Sequence, residues 1–230
     1  MAVELSEVET FDSVMDLGCA TGRFYRFFRE IFPGAHYRGI DISQVAIDYA
    51  KKLYLKSDFS LFDGDPSTIE GPKPDLLFCR DVLHHQPNPE EFLAKLYATA
   101  GKYLILRIRT REVGATVFDI EQSCQYSYDN WVPFIVFNTT ELTDLLSSYN
   151  PSPARIDIVR HPVVLGGQLG RYLPKEMYFP ETGTSETSIL IEKGNNDQTV
   201  VPKITSQTRP ELRGQEMSFL FRLGKRLAGR

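Results

Sequence analysis

The 230-residue chain is 42% hydrophobic and 24% charged, enough apolar material for one soluble domain with a modest appendage. Its 26 Lys and Arg face 30 Asp and Glu, and the net charge of −4 gives no overall basic footprint for nucleic acid. Cys19, Cys79 and Cys124 are too few and scattered for a disulfide framework and show no C-x-x-C metal spacing; the N-terminus lacks an apolar leader, and no 18-residue apolar run appears. A reducing, cytoplasmic setting is expected, with no metal and no nucleic-acid partner.

The first strand, ending Val14-Met15-Asp16-Leu17, runs into Gly18-Cys19-Ala20-Thr21-Gly22. Phe24, Phe27, Phe28 and Ile31 then recur at helical spacing, so strand, glycine turn and helix form the first half of a nucleotide-binding βαβ unit. Gly18 and Gly22 have no Cβ, which lets the chain turn sharply and a ligand approach the main chain. The dinucleotide spacing G-x-G-x-x-G is absent, which argues against a nicotinamide oxidoreductase. Asp16 would repel a pyrophosphate and suits a ligand carrying a cation.

A second strand spans residues 36–42, and Ser43 is the expected N-cap of a helix whose apolar stripe is Ala46, Tyr49, Ala50 and Leu53. A third strand at 59–62 ends in Asp63-Gly64-Asp65-Pro66, and a fourth reads Asp75-Leu76-Leu77-Phe78-Cys79. A helix carrying Leu93, Leu96, Tyr97 and Ala100 leads to a fifth strand at 102–109. The alternation predicts an α/β, doubly wound, Rossmann-like sheet. Residues 111–138 are polar and aromatic without a period, and Asn138-Thr139-Thr140-Glu141 then reads as a capping box before Leu142, Leu145, Leu146 and Tyr149. A sixth strand at 155–160, an irregular stretch at 162–187 and a seventh strand at 188–191 complete a domain expected over 1–194. Residues 195–230 are expected to be a linker and a tail. Residues 203–230 hold seven Lys and Arg against two acidic residues, with Leu212, Phe219, Leu220, Leu223 and Leu227 in one helical sector. Such a segment reads as a membrane-surface or partner-docking helix, or as one that folds back on its own acidic body.

Asp16-x-Gly18-x-x-x-Gly22 resembles the first motif of the class I S-adenosylmethionine (SAM) methyltransferases, with Ala20 in place of the family's middle glycine. Cys79-Arg80-Asp81-Val82-Leu83-His84-His85-Gln86-Pro87-Asn88-Pro89 resembles that family's fourth region over eleven positions. The resemblance covers roughly residues 12–110 and implies a seven-stranded, mostly parallel sheet whose last strand is antiparallel. It implies that Asp16, Gly18, Cys19, Ala20 and Gly22 cradle SAM and that Asp41 accepts from both ribose hydroxyls. By the same resemblance Ile42 lies against the adenine, Asp65 accepts from the adenine amino group with Asp63 as competitor, and Cys79 contributes its backbone. Arg80 replaces a residue usually small there; it reads as an orienter of an anionic acceptor or as half of a salt bridge. His84, ahead of His85, is the candidate general base, and both also read as structure at a helix start.

The stretches 111–138 and 162–187 are expected to form a lid over the acceptor. Tyr126, Tyr128, Trp131 and Phe134 would line its pocket or pack the loop on the sheet, and Arg107, Arg109 and Arg111 would bind an acidic group. The expected reaction is SAM-dependent methylation of an O or N of a small molecule or glycan. The rival is a non-catalytic SAM-fold binding protein, for which Ala20 and Arg80 are the departures.

Overall fold

A computed structural model of the chain describes residues 1–55, 57–127, 129–194 and 200–207. A short helix α1 (Ala2–Ser6) precedes the alternation β1 (Ser13–Leu17), α2 (Tyr25–Ile31), β2 (His36–Asp41), α3 (Gln44–Leu53), β3 (Asp58–Leu61), β4 (Leu76–Arg80), α4 (Pro89–Thr99) and β5 (Tyr103–Arg111). Then come β6 (Cys124–Ser127), β7 (Asn130–Pro133), β8 (Phe137–Asn138), α5 (Thr139–Ser147), β9 (Pro153–Pro162), β10 (Arg171–Tyr172), β11 (Ser185–Lys193) and β12 (Lys203–Ser206). The main sheet runs β12-β9-β11-β5-β4-β1-β2-β3, with β8 paired to β5. Only β11 is antiparallel to its neighbours β5 and β9. The fold is therefore the expected doubly wound α/β sheet with one reversed strand, but among the described residues it has nine strands and not seven, since β8 and β12 join it and β12 follows the reversed β11.

Residues 203–206, read from the sequence as part of a linker, form β12 and pair in parallel with β9. All four are exposed, so no buried alternation marks this strand in the sequence. The basic stretch 208–230, with its proposed amphipathic helix, lies outside the described residues.

Alternation along the central strands divides the core. Leu77, Cys79, Leu104, Leu106 and Ile108 face α4, whose Leu93 and Leu96 are fully covered. Leu76, Phe78, Tyr103 and Ile105 face the other way, with Phe28 of α2 and Ile47 and Ala50 of α3. The α3 stripe differs from expectation: Ile47 and Ala50 are buried, while Tyr49 and Leu53 are about half exposed. That helix is short and lies on the sheet through a narrow face, so periodicity alone misplaced its centre. Ser43 does cap it, accepting from the Ala46 N–H. Asn138 caps α5 by accepting from the Thr140 and Glu141 N–H groups. The reciprocal half of the capping box does not form, because Glu141 accepts from the Thr116 N–H and the Asn138 N–H donates to the Thr116 hydroxyl.

The two irregular stretches meet. Strands β6 and β7 from the first and β10 from the second build a separate three-stranded sheet in the order β10-β6-β7. Phe134, Val136, Leu165, Leu173 and Met177 form the apolar cluster beneath it. None of these strands shows a period because their inward positions are shared between segments some forty residues apart. Substituting Leu96, fully buried under the sheet, by alanine should cost about 2–5 kcal/mol of stability. Urea denaturation of both proteins measures it.

Candidate active site

In the sheet, β1 lies between β2 and β4, with Leu17 opposite Ile40 on one side and Cys79 on the other. Connections leave β1 in opposite directions at this point, and open α/β sheets bind their ligands in the crevice beyond the carboxyl ends of the strands at such a switch point. The glycine turn is bound to the end of β2: the N–H groups of Gly18 and Cys19 donate to the Ile40 carbonyl at 2.8 and 3.1 Å. Gly18 and Gly22 take φ of 80° and 78°, and a Cβ on Gly18 would lie 2.3 Å from Val82 Cγ2. Here glycine is required by both conformation and space. Ala20 adopts φ of 47°, so the left-handed turn forms without a glycine at this position.

Asp41 closes the arrangement. Its Oδ2 accepts from the Ala20 N–H at 2.8 Å and its Oδ1 from the Ser43 N–H at 2.9 Å. One carboxylate therefore joins the glycine turn, the end of β2 and the start of α3. Ile42 beside it is 69% exposed, a large apolar side chain standing free at the crevice. Gly64 follows β3, and its Cβ position lies 4.0 Å from Ile42.

Asp65 differs from the sequence expectation. Its Oδ1 accepts from the Ser67 N–H and hydroxyl and its Oδ2 from Lys95 Nζ at 2.9 Å. These bonds, Ser67 first and Lys95 next, hold the carboxyl down at about 2. Asp63 is the exposed carboxylate of the pair, using Oδ1 for the Asp65 N–H and the Thr68 hydroxyl. An Asp-x-Asp turn gives no sequence signal for which residue caps and which faces out.

Asp16 is 1% exposed and accepts from the Tyr37 hydroxyl at 2.7 Å. Burial pushes its carboxyl up to about 7, against the opposing hydrogen bond from Tyr37. Tyr37, missed in the sequence, was legible in principle: it shares the inward parity of Gly39 in β2 and pairs with Val14. Cys19 and Cys79 sit at the ends of neighbouring strands as expected, yet both are buried, and burial raises both thiols. Alkylation of these cysteines is thus a poor probe of the crevice, because a buried neutral thiol is not a nucleophile.

Past β4, the predicted chemistry rearranges. Arg80 Nε contacts Asp81 at 3.1 Å, and its guanidinium lies 5.0 Å from the Phe24 ring centre. Arg80 therefore makes, through Nε, the salt bridge that one of its two readings expects. Arg109 reaches the other Asp81 oxygen at 2.7 Å and Glu186 at 3.8 Å, while Arg107 pairs with Glu186. Arg111 departs from that group: its side chain is 4% exposed, bonded to the Val113 carbonyl and paired with Glu176. The expectation of three arginines on one acidic ligand therefore fails for Arg111.

His84 is 1% exposed, and its Nδ1 has no hydrogen-bond partner among the described residues. Burial, then the charges of His85 and Arg109, holds it well below the usual histidine range. It packs against His85 and Phe134, with ring centres 4.0 and 5.2 Å away. His85 is half-buried, and its Nδ1 lies 2.7 Å from the Pro133 carbonyl. A carbonyl partner fixes Nδ1 as the protonated nitrogen and leaves Nε2 with a lone pair. The histidine able to take a proton is therefore His85, and His84 is a packed neutral ring.

Phe134 is buried, with the Arg171 guanidinium 3.9 Å from its ring centre. Trp131 stands between Tyr126 and Tyr172 on the outer face of the small sheet, with ring centres 5.4 and 5.2 Å away, and all three are exposed. Tyr128 lies outside the described residues. Among the described residues no group of His, Cys, Asp and Glu is arranged to hold a metal ion, and no helix is long and apolar enough to cross a membrane.

Asp16 makes stability fall with pH. Its contribution is present below pH 3.8, where the carboxyl is neutral in the folded and unfolded chain alike, and is lost as pH rises through about 7. Between pH 5 and 8, wild type should lose stability relative to Asp16→Asn by about 1.4 kcal/mol for each unit of the shift traversed. Denaturant titrations of both proteins across that range check this. Parallel curves would place an ionised Asp16 in the folded state.

Residues 15–101 match the family described as "Methyltransferase domain". Two relatives are the ribosomal RNA large subunit methyltransferase G of Shewanella woodyi and the trans-aconitate 2-methyltransferase of Variovorax paradoxus. The first is 31% identical over 32% of this chain and 20% of its own, the second 27% identical over 42% and 37%. The matched region thus spans well under half the length of either relative. Among solved structures, the O-methyltransferase of a Brevibacillus brevis trans-AT PKS multienzyme, in complex with S-adenosyl-L-homocysteine, aligns with a TM-score of 0.59. It covers 84% of this chain and 71% of that one at 13% identity, a likeness of fold. Residues 15–101 thus carry the match to a methyltransferase domain, and the order of the strands gives the whole chain the fold that this O-methyltransferase also has.

Proposed function

We propose that the chain transfers the methyl group of SAM to an O or N of a small molecule or glycan. The observation that carries this reading is the crevice at β1, β2 and β4. There a backbone turn in left-handed conformation, a carboxylate at the end of β2 and a free apolar side chain stand together. These residues fit SAM: each Asp41 oxygen accepts one backbone N–H and keeps a second lone pair for a ribose hydroxyl, and Ile42 offers an apolar face to a purine. Gly18, Cys19, Ala20, Gly22 and Cys79 would border the methionine portion, and Asp16, enclosed behind the turn and raised to about 7 by burial, would be held ionised by the ammonium group. With Asp65 committed to Ser67 and Lys95, Asp63 is our choice for the adenine amino group.

Bound SAM supplies an activated methyl group, so the chain's own work is to position the acceptor and remove its proton. His85 is the group for the proton, oriented by the Pro133 carbonyl, with Nε2 as acceptor. Arg80, between Phe24 and Asp81, borders the donor and acceptor sides of the crevice. The overall charge of −4 supports a small acceptor over RNA, although one relative is named for ribosomal RNA.

Replacing Asp41 by alanine should weaken S-adenosylhomocysteine binding by about 1.5–3 kcal/mol, roughly 10- to 150-fold, with the fold retained by circular dichroism. Calorimetric titration measures it. Equal affinity in the folded variant would remove Asp41 from the site.

A further inference from the structure

The cofactor crevice leaves unexplained a group of partly buried guanidiniums beside it. Across paired strands, residues in register point to the same face of the sheet. Arg80 of β4 lies opposite Arg107 of β5, and Arg109 lies opposite Glu186 of β11, so all four are on the face that carries α2. They form one connected set, with Asp81 between Arg80 and Arg109 and Glu186 between Arg107 and Arg109. Arg171 joins from β10 in the second irregular stretch. It is fixed there by Gln125 Oε1 at 2.7 Å and by Phe134 beneath it.

Among the described residues, this set holds four guanidiniums and two carboxylates. The side chains of Arg80, Arg107 and Arg109 are 27%, 23% and 12% exposed, so water screens the surplus only in part. The neighbouring histidines add no countercharge, and burial first, joined by Arg109 and Arg171, holds His85 below the usual histidine range against its Pro133 hydrogen bond and Asp81. Arg171 is pushed down to about 10 by burial and then by Arg109, with Glu186 opposing. Two uncompensated positive charges in a half-buried place are unfavourable unless an anion meets them. Guanidinium forks match carboxylate and phosphate oxygens in planar, two-point contacts.

We propose that the acceptor carries an acidic group, a carboxylate or phosphate, which docks on Arg80, Arg107, Arg109 and Arg171 and presents the rest of the molecule to His85. This rests on the methyl-transfer reading and narrows its acceptor to an anion. Arg171 is the specificity element, since it brings the second irregular stretch onto the site. Asp81 and Glu186 hold the guanidiniums apart and oriented while leaving the charge surplus.

The same chemistry has a second source, the carboxylate of SAM itself, and one experiment separates the two. The full-length protein is titrated calorimetrically with phthalate, inorganic phosphate and the neutral diamide phthalamide, each with and without saturating S-adenosylhomocysteine. At least one anion should bind the S-adenosylhomocysteine complex with a Kd below about 5 mM, and the diamide should not. Arg171→Gln should weaken that anion roughly tenfold or more, as loss of a charge-assisted hydrogen bond implies, and Arg171→Lys should recover part of it. Glu186→Gln, which removes a competing carboxylate, should tighten the anion, a change that general damage to the fold would not produce. S-adenosylhomocysteine affinity should stay within about threefold in all three variants, below the tenfold worth of 1.4 kcal/mol.

Absence of anion binding, equal binding of the diamide, or unchanged anion affinity in both Arg171→Gln and Glu186→Gln overturns the proposal. So does displacement of the anion by S-adenosylhomocysteine, which would assign the cluster to the cofactor's carboxylate. Failure of S-adenosylhomocysteine to bind, read in its own titration, would instead overturn the methyl-transfer reading. The anion titration of the free protein then still decides whether the cluster binds anions.

Discussion

The carboxylate of Asp41 is the contact on which the site depends. It accepts one backbone N–H from the glycine turn and another from the first residues leading into α3. Without it, the turn after β1 would have no side-chain anchor on β2, and the left-handed Ala20 would have no acceptor for its N–H. Each such charge-assisted bond is stronger than a neutral one, and here two act on segments 23 residues apart. The parallel register of β1 with β2 brings the two segments level, Leu17 against Ile40, so that a short side chain spans them.

Around that anchor the charges are sorted by burial. Behind the glycine turn Asp16 is enclosed, its carboxyl raised to about 7 by burial, with Tyr37 as its partner. On the other side of Phe24 the guanidiniums outnumber the carboxylates. Asp81 feels both influences: burial alone would raise its carboxyl, but Arg109, followed by Arg107 and Arg80, outweighs burial and holds it below the usual range. It also takes φ of 58°, a left-handed conformation that aspartate tolerates better than most residues. One strained residue thus turns the chain from β4 toward the histidines and separates two arginines.

The parallel half of the sheet was readable in the sequence because strands buried on both faces appear as apolar runs, as in Leu76–Cys79 and Tyr103–Leu106. The turn motif and Asp41 were readable because their residue types follow from conformation and charge. What the sequence hid was contact between distant segments. The small sheet formed by β6, β7 and β10 depends on pairing across Tyr172 and Cys124, and neither stretch carries a period of its own. The same distance concealed Arg171, which reaches Gln125 from 46 positions away. For the histidines, types and order were visible, but only the Pro133 carbonyl distinguishes the oriented ring from the packed one. Edge strand β12 is wholly exposed and so carried no pattern.

The central claim is that the crevice beyond β1, β2 and β4 is a SAM site. Thermal unfolding of the full-length protein with SAM, S-adenosylhomocysteine, NAD and NADP, each alone, tests it most directly. A ligand that binds only the folded chain at a hundred times its Kd adds about 2.7 kcal/mol and raises the melting temperature by several degrees. SAM and S-adenosylhomocysteine should produce that rise, and the nicotinamide dinucleotides should leave the transition in place. Stabilisation by NAD or NADP alone, or by none of the four, would contradict the account.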